Sequence, residues 1–248
     1  MAAAAPPARH GNHDYAVKRA ATAEDRPNWP HATEDHVSDL KALQHPRFSR
    51  AYLRISQSAD QRGAAEHRHR MLADLTGRVI EIGAGGGRNF THYPATVTEV
   101  VAIEPDHTLR AHAEHAASSA PVPVRVLEGD AEHLPAQDGE FDAAVFSLAL
   151  CSFADPAAAL REAARVLRTG GQLRFLEHVR STHRLTALVE DAVTPLWRRA
   201  FGGCHPNRDT AATIAAAGFT IEQLDRFGFA MAPIAPPTAH ILGRATKP

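Results

Sequence analysis

From residue 78 onward the chain alternates short apolar runs with amphipathic stretches, and this alternation restricts its fold more than any other feature. Helical spacing is found from Thr108 to Ala117 and from Pro156 to Leu167. Strands that alternate with crossover helices form a parallel sheet with helices on both faces. The pattern therefore predicts an α/β fold. The apolar runs that predict its strands are Val79 to Ile82, Val97 to Ile103, Val122 to Leu127, Phe141 to Leu148 and Gln172 to Val179.

Two more strands are predicted near the end of the chain, at Phe219 to Asp225 and Thr238 to Ala245. The segment between them is too short for a crossover helix, so these strands should pair antiparallel. We therefore expect a seven-stranded, mostly parallel sheet whose last strand is antiparallel.

A long amphipathic helix is predicted between residues 185 and 200, with a kink expected at Pro195. Its apolar face includes Trp197 and is flanked by arginines, which would also suit a helix lying on a membrane surface. Its polar face carries Glu190 and Asp191 as well, and these would weaken attraction to anionic lipid. We therefore interpret this helix as a cap over the substrate.

The charges of the chain nearly cancel, with 27 Lys and Arg residues against 28 Asp and Glu residues. A balanced chain lacks the broad positive field that attracts a nucleic-acid backbone, so we expect no nucleic-acid partner. The longest uncharged apolar stretch, Ala143 to Ala154, is 12 residues long. About 18 to 20 residues are needed to cross a bilayer, so no membrane span is expected.

Only two cysteines occur, Cys151 and Cys204, and neither belongs to a CxxC motif. A disulfide scaffold and a cysteine-based zinc site therefore both lack ligands. The 16 histidines are scattered without an HExxH motif, and we predict no metal site. The N-terminus has no basic region followed by an apolar one, so no secretory signal is expected and a cytoplasmic location is predicted.

The strongest local motif runs from Val79 to Asn89 and reads VIEIGAGGGRN. Here an apolar strand enters a glycine-rich turn, and glycines allow positive φ and close approach of backbone to a ligand. The dinucleotide pattern GxGxxG fails because its third glycine would be Arg88 or Phe90, and no Walker lysine follows. The motif is Glu-x-Gly-x-Gly-x-Gly instead, with Glu81 inside the strand.

This acid-and-glycine motif resembles the first motif of the class I S-adenosylmethionine-dependent methyltransferases, and the resemblance extends over residues 77 to 247. It implies a Rossmann-like fold, S-adenosyl-L-methionine as cofactor and S-adenosyl-L-homocysteine as product. In that family an acid that ends the second strand binds the cofactor ribose, and the matching residue is Glu104. Asp130 and Ala131 match the loop that contacts adenine. The resemblance places the following residues around the cofactor: Glu81, Gly83, Ala84, Gly85, Gly87, Glu104, Pro105, Asp130, Ala131, Ser147 and Leu148.

Three stretches are similar to a narrower branch that includes alkyl thiol methyltransferases: Leu148 to Ser152, Phe175 to Val179 and Phe201 to His205. The resemblance implies methyl transfer to a small molecule, with an apolar thiol as the leading acceptor. Quinone or phospholipid-type methylation is the alternative enzyme hypothesis, and a non-catalytic cofactor-binding regulator is the alternative of another class. Microsomal members of the branch carry an N-terminal membrane anchor. We expect none here, so we transfer neither their location nor their substrate.

Methyl transfer requires an acceptor held about 3 to 3.5 Å from the activated methyl, and a thiol or phenol also gains from losing its proton. His178, at the end of the fifth predicted strand, is the candidate catalytic proton acceptor. Cys151 follows the fourth strand and is predicted to line the substrate pocket rather than to act as a nucleophile. Tyr52 on an early helix, with His205 and Arg208 in a later loop, completes the predicted pocket.

Three segments are predicted along the chain. Residues 1–44 have no apolar period and cannot offset their ordering entropy by burial, so we expect them to be mobile. Residues 45–76 are predicted to form an N-terminal helical cap, because Phe48, Tyr52 and Ile55 follow helical spacing. Residues 77–248 are predicted to form the methyltransferase domain, and the oligomeric state is not indicated.

Overall fold

A computed structural model describes residues 40–231 and 235–248, which contain a seven-stranded sheet and the helices that connect it. The strands are β1 (Gly77–Ile82), β2 (Val97–Ile103), β3 (Val124–Leu127), β4 (Phe141–Ser147), β5 (Leu167–His178), β6 (Thr220–Phe229) and β7 (Thr238–Thr246). The helices are α1 (Pro46–Ala59), α2 (Ala65–Leu72), α3 (His107–Ala117), α4 (Pro156–Val166), α5 (Arg184–Ala200) and α6 (Thr210–Ala216), with a π-helical turn at Asp60–Ala64 and a 3-10 turn at Phe90–His92.

The strand order is β3-β2-β1-β4-β5-β7-β6. Strands β1 to β5 run parallel to one another, whereas β7 lies between β5 and β6 and is antiparallel to both. In the centre of the sheet Ile80 pairs with Val101 on one side and with Ala144 on the other. The predicted seven-stranded, mostly parallel Rossmann-like fold with an antiparallel last strand is confirmed.

Three of the helices begin at an aspartate that caps their free N–H groups. Asp106 accepts a hydrogen bond of 3.0 Å from Leu109 N, and Asp155 accepts hydrogen bonds of 2.9 and 3.0 Å from the first turn of α4. Asp209 does the same for α6, at 3.1 Å. Such side chains favour helix starts because they satisfy donors that have no partner within the helix. They explain why the predicted helix boundaries agree closely with the structure.

Strand β5 begins earlier than predicted, at Leu167 instead of Gln172. The register with β4 shifts there, since Phe141 pairs with Leu167 but Ala143 pairs with Gln172. Gly170 in the intervening bulge has a φ of 73°, which an L side chain rarely adopts. Glycines such as those of Thr169-Gly170-Gly171 are typical of a turn. Here, however, these residues belong to β5 and form its irregular first part.

Helix α5 is continuous across Pro195, but its apolar face does not point inward as a substrate cap requires. Leu185, Leu188 and Leu196 are 70%, 62% and 72% exposed, whereas the polar residue Glu190 is buried. The Glu190 carboxylate accepts a hydrogen bond of 2.8 Å from Ser181 N, which explains why this side chain faces the protein. The interpretation of the leucine face as a cap is therefore wrong.

Most of the segment predicted to be mobile, residues 1–39, lies outside the described residues. Its last five residues are held in place, because Gln44 Nε2 donates to Pro105 O at 2.8 Å and Gln44 Oε1 accepts from His107 N at 3.0 Å. His45 N also donates to Asp106 Oδ2 at 3.0 Å. These hydrogen bonds attach residues 44 and 45 to the start of α3. None of the helices in the two described ranges has both the length and the apolar character to cross a membrane.

Candidate functional site

Two adjoining cavities open at the carboxyl ends of β1, β2 and β4, where open α/β sheets bind their ligands. The larger has a volume of about 330 Å³ and the smaller of about 280 Å³. They share part of their lining, so one elongated ligand could occupy both. The shared residues are Leu43, Gly83, Pro105, Ser152, Phe153 and Ala154.

The glycine turn after β1 forms one wall of the larger cavity. Gly83 and Gly85 line it and have φ values of 76° and 58°. A Cβ on Gly83 would lie 2.9 Å from the Cβ of Ala149, and one on Gly85 would lie 3.2 Å from the Tyr52 ring. Side chains at these positions would fill the cradle. Gly87 instead packs against Phe90, and like Ala84 it does not line either cavity.

Glu104 follows β2 and lines the larger cavity. Its Oε2 accepts a hydrogen bond of 2.7 Å from Gly85 N, and its Oε1 accepts one of 2.9 Å from Asp106 N. Burial raises the pKa of this carboxyl to about 7, although the two backbone hydrogen bonds oppose the shift. An ionised carboxylate here can accept from both hydroxyls of a diol. Its position suits the predicted contact with ribose.

Glu81, predicted to contact the cofactor, is turned away from both cavities. Its carboxylate accepts hydrogen bonds of 2.9 Å from Asn89 Nδ2 and 2.7 Å from the Tyr93 hydroxyl, and burial raises its pKa to about 7. Arg68 continues this network, since its Nη1 donates to Asn89 Oδ1 and to Ser147 Oγ, each at 3.0 Å. These residues support the glycine turn from behind. Sequence reasoning missed Arg68, because its partners lie far away in sequence.

The smaller cavity is lined by Asp130 and Ala131, together with Ile103 and Gly129. Asp130 Oδ1 accepts hydrogen bonds of 2.7 and 2.8 Å from the N–H groups of the two residues that follow Ala131. This turn holds the backbone of Ala131 at the cavity wall. A wall that contains the carboxylates of Asp130 and Glu132 and the residue Ala131 suits a heteroaromatic ring with an amino group.

The turn after β4 is held in an uncommon conformation. Leu148, which lines the larger cavity with Ser147, has a φ of 57°, the single non-glycine residue with positive φ in the described ranges. The Glu177 carboxylate accepts hydrogen bonds from the N–H groups of Ala149, Leu150 and Cys151 at 3.0, 3.0 and 3.1 Å. Such strain is often found where a ligand site must be shaped in advance. An acid inside an apolar strand was the signal for Glu177.

Helix α1 covers the larger cavity. Phe48 and Tyr52 line it, as do His45 and Ser49 from the start of the same segment. The rings of Phe48 and Tyr52 lie 5.8 Å apart, and burial raises the pKa of Tyr52. Tyr52 is therefore at the predicted pocket, and its hydroxyl is neutral at physiological pH.

The structure separates the four remaining predicted residues. His205 lines the larger cavity, but Cys151, His178 and Arg208 do not. Arg208 Nη1 donates a hydrogen bond of 2.7 Å to Leu150 O, so it supports the β4 turn. His178 is 6% exposed, and its ring is stacked on that of His240 at 5.2 Å. Cys151 lies beside His178 in this layer behind the cavity wall.

Comparison with known proteins agrees with this arrangement. The family model described as "Methyltransferase domain" matches residues 80–175. Thiol S-methyltransferase TMT1B from Rattus norvegicus is 31% identical over 180 residues, which are 68% of this chain and 70% of the rat protein. Demethylmenaquinone methyltransferase from Thermus thermophilus is 33% identical over 134 residues, 53% of this chain and 61% of that protein. A solved S-adenosylmethionine-dependent methyltransferase from Thermotoga maritima shares the fold with a TM-score of 0.60 at 23% identity, over 82% of this chain and 97% of its own.

Proposed function

This chain belongs to the class I S-adenosylmethionine-dependent methyltransferases, and we propose that it methylates the thiol group of a small molecule. The choice of a thiol rests on the similarity to a thiol S-methyltransferase over 68% of the chain. The cavity supports a small acceptor, since about 330 Å³ is at the low end of the range for small-molecule sites and must also hold the ribose and methionine part of the cofactor. Its walls are largely apolar, which favours an apolar acceptor.

We assign the cofactor's parts to the two cavities. The smaller would hold adenine against Asp130 and Ala131, and Glu104 would accept from the ribose hydroxyls. Gly83 and Gly85 would run along the methionine part, where any Cβ would collide with Ala149 or Tyr52. The donor set fits S-adenosylmethionine because Glu104, a buried carboxylate of the larger cavity, directly precedes Pro105, which lines both cavities.

When bound, S-adenosylmethionine supplies a methyl group already activated on a sulfonium sulphur. The protein must therefore hold the acceptor in line, keep water out and remove the acceptor's proton. Phe48, Tyr52 and Phe153 would hold an apolar acceptor, since their rings line the larger cavity. The covering helix α1 would limit access of water to it.

His205 is the residue we assign to the acceptor's proton. It lines the larger cavity, and burial together with the charges of Arg208 and Arg198 lowers its pKa, so the imidazole is neutral at pH 7. Its Nδ1 is buried and, within the described part of the chain, has no hydrogen-bond partner. Nε2 is then the nitrogen left to accept the thiol proton. His178 remains the second candidate, but its position behind the cavity wall favours His205.

The organisation we propose is a methyltransferase domain over residues 77–248 with the 45–76 segment as its cap. Support for a cap comes from α1, whose residues cover the cavity. A cytoplasmic location stays a prediction, consistent with two free cysteines.

The test is incubation of the full chain with methyl-labelled S-adenosylmethionine and a panel of apolar thiols, quinols and phospholipid amines. We expect a labelled thioether and one S-adenosylhomocysteine per methyl transferred. Gly85→Val provides the matched control that should bind no cofactor. Labelling of quinols alone would overturn the thiol assignment, and tight cofactor binding with no labelled product would favour the regulator hypothesis.

Quinone methylation is the second candidate, because a demethylmenaquinone methyltransferase is 33% identical over 134 residues. A hydroxyl acceptor on a ring would also need its proton removed, so His205 would serve both reactions. The panel distinguishes the two hypotheses, because thiol methylation predicts labelled thioethers and quinone methylation predicts labelled quinols.

A further inference from the structure

The two cysteines of the chain meet behind the cavity wall. Cys151 belongs to the β4–α4 loop (residues 148–155), and Cys204 belongs to the α5–α6 loop (residues 201–209). Their Sγ atoms lie 3.6 Å apart although the residues are 53 positions apart in sequence, and both thiols are free. His205 N donates a hydrogen bond of 2.8 Å to Cys151 O, so the two backbones are adjacent as well. A disulfide has an S–S distance of about 2 Å, so closure would bring these two sulfurs closer by about 1.6 Å.

The two thiols differ in reactivity. Cys204 Sγ lies 3.6 Å from His178 Nδ1, and hydrogen bonding from Cys151, followed by that from His178 and Trp197, lowers the pKa of Cys204. The same contact with Cys204, together with burial and the Glu177 carboxyl, raises the pKa of Cys151. A thiolate is the nucleophile in thiol oxidation, so Cys204 should react first. Cys204 is also the more exposed of the two.

Both loops that carry the cysteines form the cavity wall. Gly202, Gly203 and His205 line the larger cavity on either side of Cys204 in sequence, and Leu148 and Ser152 do so on either side of Cys151. The loops are packed tightly, since a Cβ on Gly203 would lie 3.0 Å from Ser152 O. A covalent link between them would therefore move the wall, including the ring of His205.

We propose that Cys151 and Cys204 are a redox-active pair that closes to an intramolecular disulfide under a peroxide and thereby lowers methyl transfer. The Cys204 thiolate attacks one peroxide oxygen, the O–O bond breaks, and a sulfenic acid and hydroxide form. The Cys151 thiol then gives up its proton and attacks the Cys204 sulfur, and the S–OH bond breaks. The two hydroxides take up the proton from Cys151 and the proton that Cys204 lost when it ionised, so two thiols and one hydrogen peroxide give one disulfide and two waters.

The test treats the full chain with hydrogen peroxide and measures intact mass and free thiols. Because the chain has two cysteines, free-thiol content reports on this pair alone, and oxidation of the three methionines would appear separately in the intact mass as gains of about 16 Da. We expect a loss of 2 Da and of both thiols, reversed by a phosphine reductant. A phosphine is needed because a thiol reductant could itself be methylated under the proposed function. In Cys151→Ser, a sulfenic acid on Cys204 should be trapped by dimedone, whereas Cys204→Ser should react far more slowly.

Several results would contradict the proposal that Cys151 and Cys204 form a redox-active pair. They are persistence of both thiols, disulfides found only between chains, or equal oxidation rates in the two serine variants. The effect on turnover rests on the proposed function, so it is measured separately, with each variant normalised to its own reduced form. We expect oxidised wild type to lose about 10²-fold of its activity, the cost of misplacing reacting groups by about 1 Å. Full activity in protein whose two cysteines are completely cross-linked would contradict the proposal that the disulfide lowers methyl transfer. If no acceptor is found, mass and thiol content still decide whether the pair forms.

Discussion

Arg68 Nη1 donates a hydrogen bond of 3.0 Å to Ser147 Oγ, joining α2 to the end of β4 across 79 positions of sequence. The Arg68 side chain is only 2% exposed, and its Nε also contacts Asp60 Oδ1 at 3.2 Å. Asn89 is a further acceptor. One guanidinium therefore fixes the positions of the cap, the glycine turn and the end of β4 relative to one another. The shape of the cavity therefore depends on a residue that does not line it.

Removal of this guanidinium should destabilise the fold strongly. Arg68→Met leaves the Asn89 carbonyl and the Ser147 hydroxyl without this donor, and Asp60 is left with its 3.6 Å contact with Arg88. Breaking a largely buried pair of this kind costs up to about 3 to 5 kcal/mol. Arg70→Met is the matched control, because Arg70 and Asp225 form a pair whose side chains are 44% and 40% exposed. Such surface pairs contribute about 0 to 1 kcal/mol. Urea unfolding measures both variants, and equal losses in the two would contradict the role given to Arg68.

Glu104→Gln should weaken the binding of S-adenosylhomocysteine by about tenfold or more, because a charged acceptor contributes about 1.5 to 3 kcal/mol. The fold-loss should be the same for 5′-methylthioadenosine, which keeps the ribose but lacks the amino-acid part. Calorimetry measures both ligands. Glu99→Gln, on the same strand but paired with Arg78 outside the cavity, is the control. Loss of affinity for only one of the two ligands would contradict the assignment of Glu104 to the ribose hydroxyls.

The affinity for S-adenosylhomocysteine should also depend on pH through Glu104. Its pKa is raised to about 7 by burial, so the ionised acceptor is scarce at pH 6 and predominant at pH 8. Binding that requires the carboxylate should tighten by about tenfold over this interval. The Glu104→Gln variant should show a flat profile. A wild-type profile just as flat would mean that the protonated carboxyl binds equally well.

Gly85→Ala and Gly170→Ala separate backbone strain from loss of the cradle. Both glycines have positive φ, 58° and 73°, so each substitution should cost about 1 to 2 kcal/mol of stability. A Cβ on Gly85 meets the Tyr52 ring at 3.2 Å, whereas a Cβ on Gly170 has nothing within 4 Å. Binding of S-adenosylhomocysteine should therefore fail in Gly85→Ala alone. Equal binding by both variants would contradict the glycine cradle.

Local patterns predicted most of the sheet and one part of the site. Strand and helix positions follow from periodicity and from capping aspartates such as Asp155, which are read within a few residues. Gly83, Glu104 and Asp130 were predicted from the resemblance to the family's motifs, which lie within three residues of the ends of β1, β2 and β3. These are short-range signals that tertiary packing did not override.

Contacts between distant segments were not predictable in this way. The pairing of Arg68 with Ser147, and of Cys151 with Cys204, depends on which side chains point to one side of a loop. The inward turn of Glu190 reverses the helix face that hydrophobicity favours, and its carboxylate accepts a hydrogen bond from Ser181 N. Hydrophobic periodicity alone does not reveal such partners.

The Glu177 carboxyl should make stability fall as pH rises. Burial raises its pKa to about 7, above the 4.5 of an unfolded chain, so the folded state holds this proton more tightly. Its stabilising contribution is complete below about pH 4.5 and is lost as pH rises through 7. Wild type should thus lose about 1.4 kcal/mol per pH unit relative to Glu177→Gln across this window. Urea unfolding at several pH values measures the difference, and parallel profiles would show that Glu177 does not titrate there.

His205→Asn and His178→Asn decide which histidine accepts the acceptor's proton. Loss of a general base lowers turnover by about 10² to 10⁴, and the loss shrinks as pH rises past the acceptor's own pKa, because the anion then forms in solvent. We expect this profile in His205→Asn, with unchanged affinity for S-adenosylhomocysteine, because its ring lines the cavity. His178→Asn removes a contact of Cys204 behind the wall, so its loss should be smaller and equal at every pH. Rates for a thiol acceptor, with each variant compared with wild type from pH 6 to 10, give the answer. If the loss of turnover shrinks with rising pH in His178→Asn instead, His178 is the residue that accepts the proton.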